Sequence, residues 1–343
     1  MTNKYLDILS KIQSETVENV NDRVLIIDGT NSYLRIWSSV PFMADNGEHA
    51  GGIVGFLRSI GSNIRDFNPS RCVVVFDGKG GSNRRRKIYP EYKQQRSGKH
   101  NLRREEFLSY EDEHASMRNQ MIRVGQYLDT FPIQMIVLDN IEADDIIAHA
   151  VSSYFVDPNS KIRIVSTDRD FLQLVSDRVE VWSPVKKKLY TPEVIADEYG
   201  FHPNNYLLYR TLTGDVADNI DGVRGLGLKT LLKNFGELVD AEFSVDEFLK
   251  YAELIDKPKK IHETVISSRD IIERNHLLMQ LGDVDISAHS KLQITDILNI
   301  PICRSNPHTF KKMLIEDYIG TAFKYPDEWL RDTFSRLNQF AGQ

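Results

Sequence analysis

Four short apolar segments, separated by stretches with helical spacing, constrain the fold of this chain most strongly. They indicate β-strands and lie at residues 24–28, 72–77, 133–137 and 162–166. The first two are almost continuously apolar, as expected for strands buried on both faces of a sheet. Helical spacing of apolar residues is found at about residues 51–67, 105–130 and 142–155. This alternation predicts an α/β protein with a mostly parallel central sheet and helices on both sides.

Changes in composition along the chain divide it into four predicted regions. These are an N-terminal extension (1–20), an α/β core (21–185) with a basic insertion at about 79–125, a helical region (186–300) and a C-terminal helical tail (301–343). After Val181 we expect mostly helices. Thr191 followed by Pro192 is typical of a helix start, because Thr caps the first turn and Pro fits its backbone.

The composition excludes several classes of protein. Hydrophobic residues make up 41% and charged residues 27%, which favours a globular chain over a disordered one. No stretch approaches the roughly 20 apolar residues of a membrane span, and residues 1–20 lack the apolar centre of a signal peptide. Cys72 and Cys303 lack the spacing of a metal site or a disulfide framework. We therefore expect a cytoplasmic protein without a membrane partner.

The charge is distributed unevenly. A net charge of −6 argues against a polyanionic partner. Between Arg84 and Arg104, however, nine Lys or Arg residues face a single acid, Glu91. Such a run is most often only a solvated surface, and it indicates nucleic-acid binding only if other features do so as well.

Acidic residues follow the end of each predicted strand, and two more lie further along the chain. The set is Asp28, Asp77, Glu142, Asp144, Asp145, Asp168, Asp170, Asp215 and Asp218. Ligands of open α/β sheets bind beyond the carboxyl ends of the strands, so these acids are expected to converge there. Glu142 and Asp145 would share a helix face. Asp144 can join Glu142 at one site only if Glu142 precedes the helix.

This convergence predicts bound cations. So many carboxylates stay ionised at close range only when positive charge compensates them. All-oxygen ligands favour hard ions such as Mg²⁺ or Mn²⁺ over zinc. Two such ions would activate a water and stabilise the leaving oxygen of a phosphodiester. Each acid alone is more often a helix cap or turn residue, but the full set after successive strands predicts a metal-dependent phosphodiesterase.

Five motifs resemble those of a known family, in the same order along the chain. They are Asp28-Gly-Thr-Asn31, Val75-Phe-Asp-Gly78, Glu142-Ala-Asp-Asp145, Ser166-Thr-Asp-Arg-Asp170 and Gly214-Asp-Val-Ala-Asp-Asn219. Together they resemble the 5′ nucleases, that is, the flap endonuclease and 5′→3′ exonuclease family. The chain is similar to the bacteriophage and bacterial branch, including phage RNase H-type nucleases and the exonuclease domain of DNA polymerase I. The resemblance implies a sheet with a helical arch above the metals, and a host that is a bacterium or a phage-infected cell.

The resemblance also implies roles for the acids. The ligands of a tighter metal are then Asp28, Asp77, Glu142 and Asp144. Asp145 resembles an additional acid of the phage branch. Those nearer a second metal are Asp168, Asp170, Asp215 and Asp218. The division between the two sites is open at this point.

Residues 89–96 are similar to the base of the family's arch. Lys93 and Arg96 would lie one helical turn apart and offset charge on the scissile phosphate. The surrounding basic run would guide a free 5′ single strand. We therefore expect DNA contacts from Arg84, Arg85, Arg86, Lys87 and Tyr92. Tyr89 and Tyr92 could stack on bases or could simply pack the arch.

Residues 214–236 resemble a helix-hairpin-helix that binds duplex DNA. Its glycines would allow close approach to a phosphate, and basic side chains would add charge. The predicted contacts are Gly222, Arg224, Gly225, Gly227 and Lys229. An ordinary glycine turn between helices is the alternative. Other family members bind a monovalent cation here, so K⁺ is a candidate cofactor beside the two Mg²⁺ or Mn²⁺ ions.

The implied activity is cleavage of DNA near free 5′ ends during replication and primer removal. DNA with a 5′ flap or end is the expected partner, RNA–DNA hybrid a further one, and the chain is expected to be a monomer. Residues 334–340 could dock on a sliding clamp or single-strand-binding protein, although packing on the chain's own body is favoured.

Other classes of protein remain as alternatives. A PIN-type single-strand ribonuclease would usually be shorter and lack the arch. A non-catalytic DNA-junction module would be expected to lose acids. A haloacid-dehalogenase-type phosphatase requires a second Asp at position 30, which is Thr30, so that class is excluded.

Overall fold

The computed structural model describes residues 19–97 and 104–342, without the side chains of residues 96 and 97. Most of the predicted N-terminal extension, residues 1–18, therefore lies outside the described residues. Within the described ranges no helix combines the length and apolarity that crossing a membrane would require.

A six-stranded sheet in the order β3-β2-β1-β4-β5-β6 forms the centre of the fold. Its strands are β1 (Arg23–Asp28), β2 (Arg71–Asp77), β3 (Gln134–Leu138), β4 (Lys161–Val165), β5 (Val179–Ser183) and β6 (Lys188–Tyr190). All neighbours are parallel except β5 and β6. The predicted mostly parallel sheet is confirmed. Strands β5 and β6 were not predicted; β6 has only three residues and shows no readable period.

Fourteen α-helices surround the sheet within the described residues. They are α1 (Gly29–Ser39), α2 (Gly51–Phe67), α3 (Asn83–Ile88), α4 (Tyr110–Leu128), α5 (Ala143–His149), α6 (Pro192–Tyr199), α7 (Tyr206–Thr213), α8 (Leu228–Asn234), α9 (Val245–Glu253), α10 (Lys260–Ser267), α11 (Arg269–Met279), α12 (Ala288–Asn299), α13 (Pro307–Glu316) and α14 (Pro326–Gln339). A short antiparallel pair, β7 (Gly214–Asp215) and β8 (Ile220–Asp221), precedes α8. Helix α1 was not predicted. It begins directly after β1, where the Asp28 side chain accepts a hydrogen bond from the Asn31 N–H.

The sheet separates two hydrophobic clusters. Alternate residues of β1 point to opposite faces, so Val24 and Ile26 belong to one cluster and Leu25 and Ile27 to the other. Apolar side chains of residues 190–298 pack on the first face. Those of α1, α2 and α4 pack on the second together with residues 310–337. The regions predicted after residue 185 are thus built onto the two faces of one sheet.

The C-terminal helix α14 buries its apolar face. Phe334 and Leu337 are fully buried and Phe340 is 5% exposed. Phe334 stacks on Phe131 with ring centroids 4.6 Å apart. This burial agrees with the packing alternative for residues 334–340. Docking of this segment on another protein is not supported, because its aromatic side chains are already buried in the core of the chain itself.

Candidate metal centre and nucleic-acid interface

Acidic side chains meet at the carboxyl edge of the sheet. Asp28 and Asp77 are the last residues of β1 and β2. Glu142 and Asp144 follow β3, and Asp168 and Asp170 follow β4. Because β3, β2, β1 and β4 are neighbours and parallel, their carboxyl ends lie side by side.

A second segment of the chain brings two more acids to this edge. Asp215 is the last residue of β7, and Asp218 lies in the turn between β7 and β8. Oxygens of Asp170, Asp215 and Asp218 lie within 4.8 Å of one another. These three carboxylates could hold a hard cation, since their donors are all oxygens.

Asp28 is held by neutral donors. Its oxygens accept hydrogen bonds from the Ser166 hydroxyl at 2.7 Å and from the Asn31 N–H at 3.1 Å. Burial raises the pKa of Asp28 to about 7, against the effect of these bonds, and Asp168 and Asp77 raise it further by repulsion. Ser166 also accepts from the Asp168 N–H at 3.0 Å. Sequence reasoning assigned Ser166 no role, although it lies inside the motif.

Glu142 precedes helix α5 as its N-cap residue, with extended backbone. Glu142 thus lies before the helix proper, which is the condition under which Glu142 and Asp144 can reach one site. Asp77 Oδ1 accepts from the Ala143 N–H at 2.7 Å and ties β2 to the start of this helix. Burial would raise the pKa of Glu142, but Arg85 and Lys93 lower it to about 2.

Asp168 lies between two groups of acids. Burial raises the pKa of Asp144 well above its usual value, and repulsion from Asp168 adds to the rise. Burial raises the pKa of Asp170 to about 7, with Asp168 again the next cause and Arg210 acting against it. Asp168 thus repels Asp28 and Asp144 on one side and Asp170 on the other. Such a concentration of negative charge favours a bound cation.

The raised pKa values predict how stability responds to pH. The folded-state pKa values of Asp28, Asp144 and Asp170 exceed those of the unfolded chain. The stabilising contribution of Asp28 and Asp170 is present below about pH 4 and is lost as pH rises through their folded-state pKa of about 7. Mg²⁺ should offset the loss by compensating the ionised groups. We expect the difference in melting temperature between Mg²⁺ and EDTA to grow by several degrees from pH 6 to 8. A difference that stays constant or shrinks in calorimetry would contradict this.

The segment of residues 83–97, here called the arch base, supplies cations to these acids. Lys93 Nζ donates to Glu142 Oε1 at 2.5 Å and lies 3.9 Å from Asp218 Oδ2. Lys93 has a left-handed backbone (φ +54°), and its N–H donates to the Asp218 carbonyl at 3.0 Å. The 3₁₀ turn Gln94–Ser97 begins only after it. The prediction that Lys93 and Arg96 lie one helical turn apart is therefore wrong, and the Arg96 side chain lies outside the described residues.

Further hydrogen bonds join the arch base to the turn that carries Asp218. Asn219 Nδ2 donates to the Glu91 carbonyl at 3.0 Å, and Gln95 Nε2 donates to Asn219 Oδ1 at 3.0 Å. Asn219 adopts a left-handed backbone conformation with φ +60°. Both the Nδ2 and the Oδ1 of its side-chain amide bond to the arch base.

Arg85 is buried among acids and does not face solvent. Its side chain is 4% exposed and pairs with Glu142 and, at 2.7 Å, with Asp145. Its Nε donates to the Leu278 carbonyl at 2.8 Å. The prediction of a DNA contact for Arg85 is therefore wrong in this structure, because protein acceptors enclose the guanidinium group.

Asp145 serves as the counter-ion of the arch base. Both its oxygens accept from Arg84 Nη2 at 3.1 Å, and Oδ1 also pairs with Arg85. Both oxygens of Asp145 thus bond to guanidinium groups, and its role as a metal ligand stays a prediction. Arg84 remains partly exposed despite this pair.

Tyr92 is 3% exposed and packs with Ile220, Leu278 and Met279. Its prediction as a base-stacking contact is wrong in this structure, because the ring is already covered. Tyr89 packs beside this cluster and carries the Arg274 guanidinium 4.4 Å from its ring centroid. Both rings support the alternative of arch packing.

Only part of the basic run is exposed to solvent. Of its nine basic residues, those in ion pairs with the chain's own acids are Arg84, Arg85, Lys93 and Arg104. The exposed ones are Arg86 and Lys87. The side chains of Arg96, Lys99 and Arg103 lie outside the described residues. Part of this run of positive charge therefore compensates buried acids of the chain itself, Glu142 and Asp145.

Two short helices, α7 and α8, flank the predicted hairpin. Gly222 packs so closely on α7 that an added Cβ would lie 2.3 Å from the Thr213 carbonyl oxygen. Gly225 has a positive φ of 77° with open space around it. The exposed positions are Arg224, Gly225, Gly227 and Lys229. Duplex binding and K⁺ binding at this segment stay predictions.

Arg210 is a residue at the site that sequence reasoning missed. It lies in the last turn of α7 and pairs with Asp170 and Asp215. No spacing rule singles out one Arg in a short helix five residues before an acid, so the signal was absent from the sequence.

Comparison with known proteins agrees with this geometry. Residues 23–200 match the family model described as the 5′-3′ exonuclease, N-terminal resolvase-like domain. A 5′-3′ exonuclease of Aquifex aeolicus is 28% identical over 91% of this chain and 97% of its own length. The thermostable DNA polymerase I of Thermus thermophilus is 30% identical over 71% of this chain, which spans only 27% of that protein.

A solved structure shares the fold. The bacteriophage T5 flap endonuclease, in a complex with DNA and metal ions, has a TM-score of 0.58 at 19% identity, covering 90% of this chain and 99% of that chain. The family model covers more than half of the present sequence, including β1 to β6 and the acids that follow them. The chain therefore belongs to the 5′-3′ exonuclease family.

Proposed function

We propose that this chain is a divalent-metal-dependent nuclease that hydrolyses DNA phosphodiester bonds near free 5′ ends. Family membership makes it a 5′ nuclease. The observation that carries the metal dependence is the convergence of acids from four strand ends and the β7–β8 turn, with raised pKa values at Asp28, Asp144 and Asp170. A site of this kind gains from compensation by cations.

The acids fit two hard ions such as Mg²⁺ or Mn²⁺. One ion would be held by Asp28, Asp77, Glu142 and Asp144, and a second by Asp168, Asp170, Asp215 and Asp218. When bound, such ions lower the pKa of a water nucleophile and stabilise the leaving oxygen of a phosphodiester. The protein's own contribution is to fix these ligands on strand ends and helix starts, with Ser166 and Asn31 orienting Asp28.

Lys93 is placed to act on the reacting phosphate. Its ammonium group contacts Glu142 and lies near Asp218, so it reaches the edge shared by both groups of acids. A fixed positive charge there stabilises negative charge that develops on phosphate oxygens. Because Arg85 also pairs with Glu142, that carboxylate keeps a partner when Lys93 turns to the phosphate.

The substrate is proposed to be DNA with a 5′ flap or a free 5′ end, and secondarily an RNA–DNA hybrid. Exposed basic residues of the arch base and of the predicted hairpin offer phosphate contacts that read no sequence. They are Arg86, Lys87, Arg224 and Lys229. Binding should weaken steeply with salt, as expected for phosphate contacts.

The test is cleavage of a 5′-labelled flap duplex in Mg²⁺ and in EDTA. A blunt duplex, an RNA–DNA hybrid and single-stranded RNA are incubated in parallel. We expect metal-dependent cutting near the flap junction. Cutting of single-stranded RNA alone would instead support a PIN-type ribonuclease. Binding without any cutting would support a non-catalytic junction module.

A further inference from the structure

One guanidinium group lies inside the second group of acids. Arg210 donates to Asp170 Oδ1 from Nε at 3.0 Å and from Nη2 at 2.9 Å, and its Nη2 also pairs with Asp215. Its side chain is 11% exposed. The charge is permanent, because a guanidinium does not lose its proton in proteins.

The acids that Arg210 contacts are also candidate cation ligands. Asp170 and Asp215 form, with Asp218, the group whose oxygens lie within 4.8 Å of one another. A guanidinium that donates hydrogen bonds to two carboxylates leaves fewer of their lone pairs free for a metal ion. Its charge also repels any cation entering beside it.

We propose that Arg210 is a built-in counter-cation that weakens binding of the second divalent ion in the nucleic-acid-free protein. This inference rests on the proposed function, because it concerns an ion of the same site. Arg210 is a positioning residue here: it acts through Asp170 and Asp215. A protein regulated in this way loads its second ion poorly until another anion, such as a substrate phosphate, offers the guanidinium a new partner.

A purely structural role predicts the opposite result. If Arg210 only ties α7 to Asp170 and to the β7 turn, then removing it should loosen these acids and weaken ion binding. The sign of the change in affinity therefore separates the two roles.

The experiment is a Mn²⁺ titration of the full chain without nucleic acid, followed by electron paramagnetic resonance of free Mn²⁺. The variants are Arg210→Gln, which removes the charge, and Arg210→Lys, which keeps it. We expect wild type to bind one ion more tightly than a second. In Arg210→Gln the dissociation constant of the second ion should fall about tenfold or more, whereas Arg210→Lys should keep it high.

Arg163→Gln is the matched control. Arg163 likewise pairs with two acids, Asp66 and Glu180, both at 2.6 Å, but it lies within β4 and away from the group of three acids. Its loss should leave both Mn²⁺ affinities unchanged. Thermal melting verifies that each variant is folded, and Arg210→Met replaces Arg210→Gln if the latter does not melt cooperatively.

The outcomes separate this inference from the proposed function. An unchanged or weaker second ion in a folded neutral variant overturns the inference, while wild-type binding and flap cleavage leave the proposed function standing. A tighter second ion in Arg210→Lys, equal to that in Arg210→Gln, also overturns it, because the charge would then not be the cause. Wild type that binds no Mn²⁺ and cuts no flap contradicts both.

Discussion

Replacing Asp168 with Asn is expected to lower the cleavage rate by about 10³-fold or more while raising the melting temperature of the metal-free protein. Loss of this proposed metal ligand would remove several kcal/mol of charge stabilisation in the transition state, and each 1.4 kcal/mol corresponds to about a tenfold change in rate. DNA affinity should change little, since Asp168 carries no positive charge for phosphates.

The opposite effect on stability has its origin in repulsion within the folded protein. Burial is the main cause of the raised pKa values of Asp28, Asp144 and Asp170, and Asp168 adds to each of them. An isosteric amide at position 168 removes that repulsion. The melting temperature in EDTA should therefore rise by a few degrees at pH 8, a gain typical of sites whose function costs stability.

Single-turnover cleavage, DNA binding in Ca²⁺ and calorimetry in EDTA test these statements together. Asp177→Asn is the control, because Asp177 is exposed and lies two residues before β5, at the opposite edge of the sheet. Full Mg²⁺-dependent cleavage by Asp168→Asn would mean that the acids are assigned incorrectly. A lower melting temperature would instead show that Asp168 has a stabilising partner.

Replacing Lys93 with Ala should slow the chemical step by about 10²- to 10³-fold, as does loss of one fixed donor in other sites that stabilise transition-state charge. Divalent-ion binding should persist, because Glu142 keeps its pair with Arg85 and the oxygens of the other acids are unchanged. The Lys93 ammonium is the group of the arch base that lies near both Glu142 and Asp218.

The measurement compares single-turnover rates with Mn²⁺ affinities in the same preparations. Lys161→Ala serves as the control: Lys161 is exposed at the start of β4, where it donates to the Asp177 carbonyl at 2.8 Å. Loss of Mn²⁺ binding in Lys93→Ala would mean that the ammonium group organises the ligands. An unchanged rate would place the phosphate elsewhere.

The position of the acids could be predicted because it follows from strand polarity. Parallel neighbours present their carboxyl ends at one edge, so Asp28 and Asp77 at the ends of β1 and β2 and Asp168 shortly after β4 had to lie near one another. The position of Glu142 could be predicted as well. Glu142 and Asp144 can reach one site only if Glu142 lies before the start of the helix.

The burial of the arch base could not be predicted in the same way. The sequence shows that Arg85 and Arg104 are charged, but it does not show whether their side chains face the core or the solvent. In the structure, acidic groups and backbone carbonyls enclose both guanidinium groups. Among the residues that cover Tyr92 are Ile220 and Leu278, which lie nearly 130 residues or more further along the chain. Pairings over such distances in the chain leave no local pattern.

Hydrogen bonds of Asn219 couple the arch base to the turn that carries Asp218. Glu91 and Gln95 each share a hydrogen bond with Asn219, and the Lys93 N–H is bonded to the Asp218 carbonyl. A displacement of the arch base would therefore be transmitted to the turn that carries Asp218. Under the proposed function, DNA binding at the arch base and placement of the Asp218 carboxylate would then be coupled.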